Sequence, residues 1–203
     1  MILFLFLLEA AACGPAATAG LSRPTTLTIG FGFATTASPL FGMQMAAKVI
    51  GFEGLATIDR DGRPQPALAE SWSEAPDGLS WRIHLRPSVW FHDGKPLDIG
   101  TMVDLLRQQL PQQMGPAATD VSEITTAGDR DVLIRLKARS AFVPEALETF
   151  IEEPNRPDIG TGPFRTVSSS PNGLEMAANQ QHYLGAPRID RIVFKPYASL
   201  RAA

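Results

Sequence analysis

The chain has 203 residues, of which 44% are hydrophobic and 19% are charged, and its formal net charge at pH 7 is -3. A chain of this length and composition can bury roughly 70% of its unfolded surface, which excludes a disordered or collagen-like protein. A small negative charge also disfavours nucleic-acid binding, because a polyanion calls for a clustered basic face.

An apolar run at residues 2–8 is followed by Glu9 and then by three alanines up to Cys13, which is the single cysteine of the sequence. The run has about the minimum length of a signal-peptide core and is too short to cross a bilayer. Because this pattern resembles a bacterial lipoprotein signal, we expect residues 1–13 to be a signal segment and Cys13 to carry the lipid. The alternative is a lone thiol in an uncleaved leader. Residues 14–24 are expected to form a flexible tether.

The first strand is predicted at residues 26–31, and the glycines and threonines that follow mark its exit. Gly30 and Gly32 supply only part of a dinucleotide-binding fingerprint, because Thr35 stands where the third glycine is required. Residues 43–50 then predict a short helix.

The stretch from residue 65 to 97 is rich in tryptophan and turn signals. The sequence QPALAESW at residues 65–72 precedes an Asp77-Gly78 turn. Apolar and polar side chains then alternate along residues 81–86, which predicts a half-buried strand. A second Asp-Gly turn follows at residues 93–94. The local contexts of the three tryptophans predict separate core or subdomain-interface anchors rather than an aromatic platform; they are Trp72, Trp81 and Trp90.

Asp98 is predicted to cap a helix that continues to about Leu110, because apolar residues recur on one helical face. Pro111 and the glutamines after it are expected to end that helix. Residues 132–137 alternate as another strand would, and residues 141–151 predict an apolar helix. The two acidic residues at positions 152–153 are expected to form its solvated end.

A second group of motifs lies at residues 160–164, with the sequence GTGPF, and at residues 179–194. Gly160 and Gly162 permit positive φ and Pro163 fixes its own φ, which predicts a sharp entry into a strand. The alternative is a phosphate cradle, but no Lys-Ser/Thr pair follows to complete it.

Taken in order, these segments resemble the family 5 extracytoplasmic solute-binding proteins of peptide and nickel ABC importers. Members of that family carry P-x-L-A-E-S-W, D-G-x-x-[YW]-x-F-H-L-R and F-H-D-G-x-P-[LF] segments, then G-T-G-P-[YF] and N-x-x-Y-W-G motifs. The resemblance covers about residues 25–197. In this chain Phe52 stands where members more often have tyrosine, and Leu184 replaces their usual tryptophan.

The resemblance implies a mixed α/β fold of the periplasmic-binding-protein type II class, of which residues 25–203 would form an incomplete first lobe. A small subdomain is expected at about 46–157, and the main sheet is expected from about 25–45 and 158–203. Because members are over twice as long, the second lobe would be missing. The corresponding hypothesis is a truncated product or partial sequence whose own ability to bind a solute is in question.

The resemblance also implies a function in binding rather than catalysis. The chain would be the substrate-binding component of an ABC importer, capturing a peptide-like solute in an interlobe cleft and delivering it to the permease transmembrane subunits. Its location would be the periplasm or the outer face of the cytoplasmic membrane. The residues that leave the first strand are the expected ligand contacts by position, namely Phe33, Ala34, Thr35 and Thr36; an ordinary strand-exit loop is the alternative.

Two other functions stay open at this point. One is an interaction or sensory module built from a degenerate first lobe, and the other is a hydrolase that uses His92 and Asp93 as an acid/base pair. No catalytic residue, cofactor or metal is expected, because the three histidines lack zinc-site spacing and a single cysteine offers no thiolate pair. His182 is isolated in the sequence, and His84 is expected on the polar face of its strand.

Overall fold

The structure is a computed structural model that describes residues 24–32, 39–199 and 201–202. The expected signal segment, tether and lipid-attachment residue Cys13 lie outside this part of the chain, apart from Pro24. Within it, no helix combines the length and hydropathy that crossing a membrane requires.

The described residues form strands and short helices around two separate groups of buried side chains. The strands are β1 Thr26–Gly32, β2 Ala56–Ile58, β3 Pro64–Pro66, β4 Ala69–Glu74, β5 Ser80–Leu85, β6 Val121–Thr126, β7 Asp131–Leu136, β8 Phe164–Ser170, β9 Gly173–Ala178 and β10 Arg191–Tyr197. The α-helices are α1 Pro39–Gly51, α2 Ile99–Met114 and α3 Val143–Ala146.

A four-stranded main sheet has the order β1-β10-β9-β8. Strand β1 runs parallel to β10, with pairs from Thr26 with Arg191 to Gly32 with Tyr197, whereas the other neighbours are antiparallel. Because parallel neighbours need a crossover connection, most of the chain lies between these two strands. Helix α1 covers this sheet and buries Met43 against apolar side chains that include Met176 and Phe194. The predicted first strand and first helix are both confirmed.

A second four-stranded sheet has the order β4-β5-β7-β6, and all its neighbours are antiparallel. The predicted alternation in β5 is confirmed, because Trp81, Ile83 and Leu85 are buried while Arg82 points outward. Helix α2 packs on this sheet and contributes six buried apolar residues to its core. Trp81 is buried in this core and Trp72 packs against it, as predicted for core anchors; Trp90 remains 38% exposed.

Helix α2 begins where it was predicted but ends later. The Asp98 carboxylate accepts a hydrogen bond from the Thr101 amide at 2.8 Å, which confirms the cap. The predicted end at Leu110 is wrong, because the helix continues through Pro111 to Met114. Both Leu110 and Met114 are buried, so core packing offsets the hydrogen bond that Pro111 cannot donate.

The segment after β7 also differs from its prediction. Only Val143–Ala146 is helical within the predicted apolar helix at residues 141–151. Glu153 is not a solvated helix end: it is 5% exposed, and its carboxylate pairs with the ammonium group of Lys95. The reason is that this segment folds back, with the Glu153 amide donating to the Ile159 carbonyl at 2.9 Å.

Candidate functional site

Motifs that are distant in sequence meet where α1 ends. The Gly162 amide donates to the Gly51 carbonyl at 3.0 Å, which holds the GTGP segment against the end of α1. Gly160 and Gly162 do not have the predicted positive φ. Glycine is required at both positions because the backbone at the end of α1 lies very close to them. A Cβ on Gly160 would lie 2.3 Å from the Gly51 oxygen, and one on Gly162 would lie 2.6 Å from the Ile50 oxygen.

Two buried or half-buried side chains fix the carbonyl groups of the GTGP segment. The Asn179 side-chain amide donates to the Gly162 carbonyl at 3.1 Å and approaches the Thr161 carbonyl at 3.4 Å. The His92 Nε2 atom lies 2.9 Å from the same Gly162 oxygen. The GTGP segment therefore connects the main sheet to the turn at residues 91–96 through hydrogen bonds to its carbonyl groups.

The Glu53 carboxylate lies at the centre of this junction. Its Oε1 atom accepts from the Tyr183 hydroxyl at 2.9 Å and lies 3.2 Å from His182 Nε2. Its Oε2 atom lies 3.2 Å from the Thr161 hydroxyl. The sequence-based prediction of an isolated His182 is therefore wrong: the turn after β9 buries its ring and brings it to Glu53.

Tyr183 is a persistent donor to Glu53. Burial raises the pKa of the Tyr183 hydroxyl, and the negative charge of Glu53 raises it further. The Arg86 guanidinium lies 5.2 Å from the centre of the Tyr183 ring and makes a cation–π contact with it. The hydroxyl thus stays protonated at neutral pH and keeps its hydrogen bond.

A cavity of about 530 Å³ opens beside this cluster, and we call it the Glu53 groove. Its size suits a small solute, and its walls are mainly apolar, as in most small-molecule sites. The rings of Phe52 and Phe150 stand 6.3 Å apart across its wall. The other apolar lining residues are Val49, Ile50, Gly54, Ala56, Pro66, Ala67, Pro163 and Leu184.

The predicted ligand contacts Phe33, Ala34, Thr35 and Thr36 lie outside the described residues. They follow Gly32, the last residue of β1, and precede α1. The Glu53 groove lies at the other end of α1, whose 13 residues span about 20 Å. None of Glu53, His182 and Tyr183 was predicted as a site residue, although their neighbours Phe52 and Leu184 were matched to family positions.

His92 and Asp93 do not form the acid/base pair that a hydrolase would need. The His92 imidazole contacts the Gly162 carbonyl, whereas the Asp93 carboxylate accepts from the Lys95 amide at 3.2 Å and from Arg156 at 3.3 Å. Burial lowers the pKa of His92 below its usual value. A second cavity of about 500 Å³ flanks His92, but its lining is more polar than that of the Glu53 groove.

His84 also has a structural position. Its Nδ1 atom lies 2.6 Å from Asp131 on the exposed face of the second sheet, in line with the prediction of a polar-face histidine. Among the residues that the structure describes, no group of three or more His, Cys, Asp or Glu side chains is arranged to hold a metal ion.

The described residues adopt part of the periplasmic-binding-protein type II fold. The structure of the oligopeptide-binding protein AppA from Bacillus subtilis, in complex with a nonapeptide, superposes with a TM-score of 0.66 at 21% identity. The superposition covers 86% of this chain and 41% of AppA. The predicted fold class is thereby confirmed.

The chain belongs to the bacterial extracellular solute-binding proteins, family 5, whose Middle model matches residues 63–203. It is 28% identical to the nickel-binding periplasmic protein of Escherichia coli K12 over 74% of this chain and 33% of that protein. It is 26% identical to the HTH-type transcriptional regulator SgrR of Yersinia enterocolitica over 70% of this chain and 27% of SgrR. The chain thus spans a third or less of these relatives, and the resemblance predicted from its motifs is confirmed.

Proposed function

We propose that this chain is the substrate-binding component of an ABC importer and captures a peptide-like solute for delivery to a membrane permease. The observation that carries the proposal is the apolar Glu53 groove of about 530 Å³, formed where the family motifs meet. The Glu53 cluster is tied together by hydrogen bonds, and the His92–Asp93 pair on which a hydrolase would depend is not formed. The geometry therefore favours binding over chemistry.

The proposed contacts at Phe33, Ala34, Thr35 and Thr36 are supported by the direction of the neighbouring strands. These residues leave β1 at the carboxyl edge of its parallel pair with β10, which is the edge where open α/β sheets bind ligands. An extended peptide of about six residues spans about 20 Å and could reach from this edge to the Glu53 groove. A long solute would use both regions, whereas a small one would occupy one.

The proposed domain division is supported by the two groups of buried side chains. The larger group involves residues 55 to 151, which lie within the proposed small subdomain at about 46–157, whereas α1 through residue 51 packs with the main sheet. A solute cleft between lobes closes by a hinge motion whose closed form the permease would recognise. One wall of such a cleft is what we assign to this chain.

The proposed location is the periplasm or the outer face of the cytoplasmic membrane, with a lipid on Cys13. A lipid anchor would keep the receptor beside its permease. Fatty-acid labelling of the intact chain and of a Cys13→Ala variant tests this. Labelling that is lost in the variant supports the anchor, and equal labelling of both chains contradicts it.

Calorimetric titration of the purified monomer with a peptide library tests solute capture. A Val49→Gln variant puts a larger, neutral polar side chain on the apolar wall at a residue that is 67% exposed, so we expect it to fold and to bind about fivefold more weakly. Phe142→Gln is the matched control, because Phe142 is 60% exposed and does not line the groove. Absence of binding by any peptide contradicts solute capture by this chain.

A second candidate is an interaction or sensory module, and the similarity to the regulator SgrR is the observation that favours it. This function predicts a stable protein partner and no small ligand. The same titration separates the two candidates, because a module of this kind would leave every library peptide unbound.

A further inference from the structure

The charged residues that line the Glu53 groove are both acidic. They are Glu53 and Glu148, and no lysine or arginine is among the lining residues. Two basic residues lie close by: the Lys48 ammonium group pairs with Glu152 at 2.6 Å, and the Arg86 guanidinium, which donates to the Ala67 carbonyl, stands over the Tyr183 ring. The side chains that line the groove themselves therefore carry net negative charge.

Glu53 is held by groups that carry no permanent positive charge. Its three contacts are the hydroxyls of Tyr183 and Thr161 and the imidazole of His182. Its side chain is only 16% exposed, and among the described residues no lysine or arginine lies within ion-pair distance. A carboxylate withdrawn from water in this way gains more from a cationic partner than a fully solvated one does.

The walls of the groove also favour a solute that carries a cation. Phe52 and Phe150 present aromatic rings. The Lys48 ammonium group already lies 5.5 Å from the centre of the Phe52 ring, so the Phe150 ring is the one left to attract an ammonium or guanidinium group of a solute. The aliphatic residues beside them, such as Val49 and Leu184, suit a hydrocarbon chain. A solute that combines a cation with an apolar portion would match both the charge and the hydropathy of this cavity.

We propose that the Glu53 groove selects solutes that carry a protonated amine or guanidinium group next to an apolar group, with Glu53 as the ion-pair partner. This inference rests on the proposed function and specifies its substrate class. The acidic residue orients the cation, and the aromatic and aliphatic walls bury the rest of the solute.

Three tripeptides test the inference by calorimetry with the whole chain. All are acetylated and amidated with leucine at both ends, so that the central residue carries the only charge; it is lysine, its neutral isostere norleucine, or glutamate. We expect the lysine peptide to bind about tenfold more tightly than the norleucine peptide, and the glutamate peptide to bind most weakly.

Two variants locate the source of that preference. Glu53→Gln keeps an acceptor for Tyr183 but removes the charge, so the lysine and norleucine peptides should bind equally. Leu184→Lys places a positive charge at a groove residue that is 70% exposed and should weaken the lysine peptide without disturbing the fold. Glu123→Gln is the charge-matched control, because Glu123 pairs with Arg135 on the second sheet.

Tighter binding of the lysine peptide that disappears in Glu53→Gln supports the inference. Equal affinities for the lysine and norleucine peptides in the unmodified chain overturn it but leave solute capture intact. A preference that survives both Glu53→Gln and Leu184→Lys also overturns it. If none of the three peptides binds, the inference fails, and the library titration separately decides whether the chain captures any solute.

Discussion

The Tyr183 hydroxyl donates a hydrogen bond of 2.9 Å to the carboxylate of Glu53, a residue 130 positions earlier in the chain. Tyr183 comes from the turn after β9, whereas Glu53 follows the end of α1. The bond therefore ties the returning part of the main sheet to the segment that leads into the second sheet. It also fixes the carboxylate that borders the groove.

Replacing Tyr183 with phenylalanine should destabilise the fold by about 1–2 kcal/mol, because a partly buried carboxylate loses one of its donors. The free energy of unfolding in urea measures this change. Tyr197→Phe is a matched control, since Tyr197 is half-buried at the end of β10 and its hydroxyl has no hydrogen bond to any described residue. Equal losses in the two variants would contradict a specific role for the bond with Glu53.

Gly162→Ala should destabilise the fold by about 1–3 kcal/mol, because the new Cβ would lie 2.6 Å from the backbone oxygen of Ile50. The end of α1 would have to move, and since Ile50 lines the groove, solute affinity should fall as well. Gly42→Ala on the same helix meets only the Phe31 ring at 3.4 Å and should be neutral or stabilising. Thermal unfolding and peptide titration of both variants provide the measurement, and an unchanged Gly162→Ala protein would refute the close-approach argument.

Asp98→Ala should cost about 1 kcal/mol at pH 7 through loss of the α2 cap. The hydrogen bond from the Thr101 amide lowers the pKa of Asp98 below its ordinary value of 3.8. The stabilisation is therefore complete above that value and is lost as the pH falls through the lower folded-state pKa.

Urea unfolding across this acidic range should show that the difference in free energy of unfolding between the unmodified chain and Asp98→Ala becomes smaller as the pH falls. Asp104→Ala, on an exposed site of the same helix, is the control. If this difference in free energy of unfolding stays constant with pH, the charged form of Asp98 is not what stabilises the start of α2.

His92 should make stability depend on pH in the range just below neutrality. Burial lowers the pKa of His92 from its ordinary value of 6.5, and the nearby charge of Arg165 lowers it further. The neutral form is favoured in the folded state, so the contribution of His92 is complete above pH 6.5. It declines as the pH falls from 6.5 through the folded-state pKa, because the unfolded chain binds the proton first.

A His92→Asn variant keeps a donor for the Gly162 carbonyl but cannot titrate. It should lose less stability than the unmodified chain when urea unfolding is compared at pH 8 and pH 5.5. Parallel loss of stability in both proteins would exclude His92 as the source of the pH dependence.

Much of the local structure followed from the sequence. Strand β5 and the Asp98 cap depend on residues that are neighbours in sequence, namely the alternation around Ile83 and the short reach from Asp98 to Thr101. Such patterns act over a few residues and need no knowledge of the rest of the fold. The same ordered motifs also identified the family before any tertiary contact was considered.

The errors arose where a distant part of the chain decides the outcome. Pro111 remains helical because the core of the second sheet buries its flanking residues Leu110 and Met114. Glu153 is buried because Lys95 lies 58 residues away in sequence but adjacent in space. His182 gained a partner in Glu53 for the same reason, and no local pattern at residue 182 could have indicated it.

The sequence by itself determined the family, strands β1, β5 and β7, helix α1 and the start of α2. Only the tertiary structure brought Glu53, Thr161 and Tyr183 together and placed an apolar groove beside them. The physical reason is range: hydrophobic periodicity and caps are properties of consecutive residues. A binding groove depends instead on how the end of α1, the GTGP segment and the turn after β9 pack across the molecule.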